Sequence, residues 1–234
     1  ECHGEGFAGK EFFNDPKLGR IESHNLTPGK GGIGAAYSDV DWIRAIRHGI
    51  GKDGRPLVAM PADDYQHMSE EHLAEVIAYM KTLPPVDKEW QEKPELKTVT
   101  KLLAALGAFG TFVPAEVIDH EAGYPVAPME APTSEYGEYL VNIFGCKTCH
   151  GMQLNGGKDP NPQAPFSPNI TPGGNLGNWS ETEFHKAMTT GWTPEGKQLS
   201  LFMPWKATAN MSDVEITAVY KYLKSLPELE TADQ

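Results

Sequence analysis

The chain has 234 residues, with 20 Lys and Arg against 32 Asp and Glu, a formal net charge of −12. Both halves are acidic, with 11 basic and 16 acidic residues up to Lys93 and 9 and 16 after it, which excludes nucleic acid as the expected partner. Hydrophobic residues make up only 39 %, and 24 Gly with 19 Pro suit two modest, loop-rich domains better than long regular layers.

Helix punctuation sets the layout along the chain. A first helix is predicted to start at Ser38, with Asp41 placed to complete a capping box, and to stop at Gly49. A long loop carrying Met60-Pro61 follows. The next helix starts at Ser69, keeps Leu73, Val76, Ile77, Met80 and Leu83 at helical spacing, and ends at Pro84. Residues 94–133 read as a linker. Its apolar run from Leu102 to Val113 is too short to span a membrane and is expected to be a short helix buried between two domains. A further helix over Glu135–Phe144 precedes Cys146-Lys147-Thr148-Cys149-His150. The last two helices start at the Ser-x-x-Glu boxes of Ser180 and Ser212, with a stop at Gly191 after the first and Pro227 after the second. Ile216, Val219, Tyr220, Leu223 and Leu226 line one face of the final helix. No run alternates in the manner of a strand, so the expected fold is all-α with long loops.

The same punctuation occurs twice. Asn25-Leu26-Thr27-Pro28 pairs with Asn169-Ile170-Thr171-Pro172, Gly49 with Gly191, Met60-Pro61 with Met203-Pro204, Met68-Ser69 with Met211-Ser212, and Leu83-Pro84 with Leu226-Pro227. The numbering offset stays between 142 and 144 throughout. This is an internal duplication, and it predicts two domains, 1–93 and 134–234, around the linker.

Cys146-x-x-Cys149-His150 has the form of a c-type haem attachment motif. The short spacing presents two thiols to the porphyrin vinyl groups and an imidazole to the iron. A zinc site would need further ligands nearby, and a redox dithiol would need a βαβ context. Glu1-Cys2-His3 matches the tail of a second such motif, and the duplication argues that it serves a second haem. All three cysteines are thereby used. His3 and His150 are the expected proximal iron ligands. Met60 and Met203 are the candidate distal ligands, since both recur, precede proline and sit in the long loop; a thioether sulfur favours reduced iron. Met68 and Met211 precede capping serines and are explained by helix stapling. His24, His48, His67, His72, His120 and His185 do not recur as histidine and read as surface or core residues. Buried propionates need donors. The recurrent Asn25, Thr27, Trp42 and Arg55, with Asn169, Thr171, Lys197 and Trp179 or Trp205 in the second copy, are the candidates, although Asn-x-Thr-Pro also reads as turn chemistry.

On these motifs the chain resembles tandem class I cytochrome c domains, that is, a di-haem cytochrome c. Asn-Leu-Thr-Pro, Trp42-x-x-Ala45-Ile46-Arg47-His48-Gly49, Asp53-Gly54-Arg55-Pro56-Leu57 and Met-Pro resemble the cytochrome subunits of membrane-bound alcohol, aldehyde and gluconate dehydrogenases. The resemblance implies two helical domains, each wrapped around a covalently attached haem c. It implies electron transfer between a dehydrogenase or quinol-oxidising complex and a terminal acceptor. It also implies a periplasmic location, with room for a membrane anchor upstream of Glu1 at the outer face of the cytoplasmic membrane, and redox proteins as partners. The rival expectation is a di-haem redox enzyme, either a peroxidase or a thiosulfate-oxidising cytochrome.

Overall fold

The computed structural model describes residues 2–90, 94–158 and 164–233. The chain forms two compact units, Glu1–Pro125 and Val126–Gln234.

The first unit opens with a β-hairpin, β1 (Lys10–Asp15) and β2 (Gly19–Ser23), and continues with α1 (Asp39–His48), α2 (Ala62–Tyr65) and α3 (Glu70–Lys81). A two-residue strand β3 (Glu95–Leu96) and helix α4 (Thr98–Ala105) complete it. The second unit contains α5 (Ser134–Ile143), α6 (Cys146–His150), α7 (Glu181–Thr190), α8 (Trp205–Thr208) and α9 (Asp213–Ser225).

The helices begin where capping chemistry places them. Ser38 and Ser180 form full capping boxes with Asp41 and Glu183, Ser212 forms one with Glu215, and Ser69 accepts from the His72 N–H. Each satisfies backbone donors that the first turn leaves without partners. Gly49 and Gly191 end α1 and α7 in the left-handed conformation, at φ 63° and 73°, where a Cβ would be strained. The first core gathers Trp42, Ala45 and Ile46 of α1 with Leu73, Ile77 and Met80 of α3. The second gathers Tyr136, Leu140 and Val141 of α5, Phe184 and Ala187 of α7, and Ile216, Val219 and Leu223 of α9.

Two features correct the sequence expectation. The first unit is not all-α: β1, β2 and β3 form a small antiparallel sheet in that order. Its strands are rich in charged residues, and a register shift between Glu11 and Phe13 breaks the alternation that would betray them. The Asp15 carboxylate accepts from the Lys17 and Leu18 N–H groups to shape the turn. Gly19, at φ 117°, lies so close to β3 that a Cβ would meet the Glu95 carbonyl oxygen at 2.0 Å.

The second correction concerns residues 94–125, expected as linker, which pack within the first unit. The Thr100 hydroxyl donates to the Leu18 carbonyl, and Arg47 donates to the Ala122 and Gly123 carbonyls while lying under the Tyr124 ring. The helix here, α4, ends at Ala105 before Gly107, three residues after the start of the expected apolar run at Leu102. Leu102 and Leu106 are exposed rather than buried.

Candidate functional site

Helix α5 leads directly into the Cys-x-x-Cys-His segment. Gly145, at φ 66°, reverses the chain, and α6 then carries Cys146 and Cys149 three positions apart. Residues so spaced share a helix face. Both are partly exposed, and none of the three cysteines is in a disulfide. His150, at the end of α6, is buried. Its Nδ1 lies 2.8 Å from the Pro168 carbonyl oxygen. A neutral imidazole placed this way donates from Nδ1 and turns Nε2 into the coordinating nitrogen. Burial lowers the His150 pKa below the usual imidazole value and keeps the ring in that neutral form.

The first unit repeats the device. His3 Nδ1 donates to the His24 carbonyl oxygen at 2.9 Å, and burial again lowers the imidazole pKa. Cys2 is exposed beside it. Burial, with Cys2 and Asp64 as nearby charges, pushes the Tyr65 phenol up to about 12. Sequence reasoning missed the two carbonyl partners. The available signal was that His24 and Pro168 each immediately precede an Asn-x-Thr-Pro motif.

That motif, Asn25 with Thr27 and Asn169 with Thr171, forms a clasp of hydrogen bonds in both units. Asn25 Nδ2 donates to the Val86 and Lys88 carbonyls, and Asn169 Nδ2 donates to the Leu229 carbonyl at 2.8 Å. The Thr27 hydroxyl and N–H both donate to Asn25 Oδ1, and Thr171 does the same to Asn169 Oδ1. The Val86 and Leu229 N–H groups return to the threonine oxygens at 3.0 and 3.4 Å. All four side chains are buried. Their donors are consumed in holding the loop after each histidine to the segment that follows α3 in the first unit and α9 in the second.

Met60 and Met203 occupy matching stations. Each is half-buried, and its carbonyl accepts from a residue two positions on, Ala62 or Trp205, at 2.8 Å. Pro61 and Pro204 then start α2 and α8. Trp42 is buried, and its Nε1 has no hydrogen-bond partner among the described residues. Arg55 is exposed and paired with Asp53, Lys197 is exposed, and Trp179 Nε1 donates to Glu195 at 2.9 Å. Trp205 lies across Gly191. Two of the remaining histidines pair with each other, His48 and His120 at 3.0 Å, and His185 pairs with Asp213 at 2.8 Å.

Among the described residues no three His, Cys, Asp or Glu side chains gather into a metal cage. What is present fits an iron carried by a macrocycle: one buried and one half-buried imidazole, each oriented through Nδ1, two thiols on one helix face, and one buried indole donor awaiting an acceptor.

Residues 134–227 match the cytochrome c family. The chain is 30 % identical to the fructose dehydrogenase cytochrome subunit of Gluconobacter japonicus, over 97 % of this chain and 49 % of that protein. It is 31 % identical to the gluconate 2-dehydrogenase cytochrome c subunit of Pantoea cypripedii, over 96 % of this chain and 56 % of that protein. It is 27 % identical to a diheme cytochrome c-type protein of Cereibacter sphaeroides, over 85 % of this chain and 69 % of that protein. The chain thus spans about half the length of the first two relatives. The likeness to cytochrome c is thus carried by residues 134–227 as a family match and by the rest of the chain as similarity to the cytochrome subunits named above.

Proposed function

We propose that the chain is an electron-transfer protein with two covalently bound haem c groups, one in each unit. The observation that carries this reading is the recurrence of one device: a histidine whose Nδ1 donates to the carbonyl just before an Asn-x-Thr clasp. Cys146 and Cys149 would form the thioether links of the second haem, and Cys2 one link of the first. His3 and His150 would bind iron through Nε2, and Met60 and Met203 would supply the opposite ligands. Trp42 Nε1 is the donor suited to a propionate in the first unit. The haems supply the one-electron chemistry, while the chain sets the potential by ligand, burial and hydrogen bonding. Were each iron held by both its histidine and its methionine, no position would be left for a substrate, which makes the chain a relay rather than a catalyst. Its relatives' names point to a dehydrogenase as electron donor, and we place the chain at the outer face of a bacterial cytoplasmic membrane, where haem c is attached. No described helix is long and apolar enough to cross a membrane.

A pyridine haemochrome assay on the chain matured in a haem-attaching host should return two haems. The ferric protein should show the near-infrared sulfur-to-iron band, halved by Met60→Leu or Met203→Leu. One haem or none would defeat the proposal, and prompt stoichiometric carbon monoxide binding by the reduced protein would favour a peroxidase instead.

A further inference from the structure

Two histidines of the first unit share a contact that fixes how many protons they can hold. His48, the last residue of α1, and His120 place their Nδ1 atoms 3.0 Å apart. His120 Nε2 lies 2.9 Å from the Ala115 carbonyl oxygen. A carbonyl only accepts, so Nε2 carries a proton and neutral His120 offers Nδ1 as an acceptor. His48 must then donate from Nδ1, which leaves its Nε2 bare. A proton added at His48 Nε2 keeps this contact. A further proton has only His120 Nδ1 to go to, where it faces the His48 N–H and a second positive ring. The pair therefore survives in its neutral and singly protonated forms and breaks when doubly protonated.

The contact ties two elements together. After α4 the chain folds back as a strap over residues 112–123. The Ala59 N–H donates to the Phe112 carbonyl at 3.0 Å, a short 3-10 turn follows over Pro114–Glu116, and Ala115 lies against Gly49. Arg47 anchors the far end through the Ala122 and Gly123 carbonyls. Between these anchors the His48–His120 bond holds the strap to the end of α1. Gly49 opens the loop that runs to Met60, and its carbonyl accepts from the Leu57 N–H at 2.7 Å. In the second unit Thr190 stands at the place of His48, and its hydroxyl bonds back to the Lys186 carbonyl at 2.7 Å. That helix ends on a group that does not titrate.

The charges nearby favour loss of the proton. Burial, then His120 and Arg47, lower the His48 pKa below its ordinary 6.5, and Glu121 opposes them. Arg44 lies one turn back on α1. The strap also carries Glu116 and Asp119, and α2, which packs on α1, carries Asp63 and Asp64. A histidine depressed in the folded state stabilises the fold above 6.5 and withdraws that support as pH falls.

We propose that His48 and His120 form a proton-operated latch, which holds residues 113–121 of the strap against Gly49 and releases them when the pair takes up its second proton. Arg47 does not titrate in this range, so the release is confined to the span between the anchors. Because Gly49 begins the Met60 loop, opening the latch gives the potential of the first haem, and not the second, a step in acid. That consequence rests on the electron-transfer reading above; the latch itself does not.

The test uses the full-length, haem-loaded chain in its reduced form. Long-range proton–nitrogen spectra at neutral pH should show His48 as the Nδ1–H tautomer and His120 as the Nε2–H tautomer. Hydrogen exchange, corrected for the intrinsic pH dependence of amides, should show protection over 113–121 falling roughly tenfold or more between about pH 7 and about pH 4.5, the factor given by one pK unit of coupling between the rings. Residues 191–203 should show no such step. His120→Gln and His48→Thr should each abolish it, the second by leaving the segment open at both pH values. Circular dichroism establishes that each variant is folded. The same tautomer on both rings, no step in wild type, an equal step over 191–203, or a step that survives either variant overturns the latch. Potentiometry on the same samples separates the two claims: a latch that opens while both haem potentials stay level defeats its coupling to Met60, and a chain without haem defeats the electron-transfer reading, while the tautomers and the exchange still decide the latch.

Discussion

His150 Nδ1 and the Pro168 carbonyl oxygen lie 2.8 Å apart, and His3 stands in the same relation to His24 at 2.9 Å. The bond fixes both the tautomer and the ring plane, so each imidazole is oriented before iron arrives. Replacing His150 with Ala should therefore leave a haem tethered through Cys146 and Cys149 but lacking its nitrogen ligand. The expected spectrum keeps one low-spin haem and converts the other to high spin, with imidazole in solution restoring it. Electron paramagnetic resonance of the ferric protein reads the change directly. A fully low-spin variant without added imidazole would remove His150 from the ligand set.

The Asn-x-Thr clasps predict a loss of stability rather than a redox phenotype. Asn25→Ala would leave the fully buried Thr27 N–H without its acceptor, take one of the Thr27 hydroxyl's two acceptors, and remove a donor from the carbonyls of half-buried Val86 and exposed Lys88. Buried groups left without partners cost about 1–3 kcal/mol each, less what relaxation recovers. A total of about 3 kcal/mol is expected in guanidinium unfolding, with Asn169→Ala similar in the second unit. The reduction potentials of the variants should stay close to the wild type. A large potential shift with unchanged stability would return these residues to the propionates.

Asp41 gives a pH signature. Its carboxylate accepts from the Ser38 N–H and hydroxyl and meets Lys52 at 3.3 Å, and these contacts hold its pKa down at about 2 against an ordinary 3.8. The unfolded chain thus takes up this proton before the folded chain does. The stabilisation is complete above the ordinary value and drains away as pH falls from 3.8 towards 2. Asp41→Asn should unfold more readily than wild type in urea at pH 7, with the gap closing in strong acid. A gap independent of pH would mean that the capping geometry, not the charge, carries the effect.

The helices were legible in the sequence because their signals are local. Ser38, Ser180 and Ser212 sit three residues from their carboxylates, and Gly49 and Gly191 need no distant partner to stop a helix. The histidines were legible through adjacency to cysteine. The hairpin was not, since the irregularity at Phe12 and the charges of Arg20 and Glu22 mask the period of two. The role of 94–125 was hidden by sequence distance: Arg47 finds its carbonyl acceptors about 75 residues away, at Ala122 and Gly123. The Asn-x-Thr residues were visible as a repeat, but the carbonyls they bind lie some 60 residues on, and recurrence alone does not reveal such a long-range clasp.

Gly137 tests how tightly α5 must cross α9. An added Cβ would stand 2.0 Å from the Ala218 carbonyl oxygen and 2.8 Å from the Tyr222 Cβ, so the obstruction is largely backbone and cannot rotate away. Helix propensity favours the substitution, because Ala in place of Gly in a helix interior gains roughly 1 kcal/mol. Overpacking opposes it, typically by 1–3 kcal/mol and by more where backbone must move. Gly137→Ala should therefore destabilise the second unit by about 2 kcal/mol net, seen as a lower guanidinium midpoint. Gly123→Ala serves as the control, since a Cβ there meets nothing within 4 Å. If Gly137→Ala raised the midpoint, the two helices would have room to separate, and their crossing would not be what fixes α6 and its cysteines.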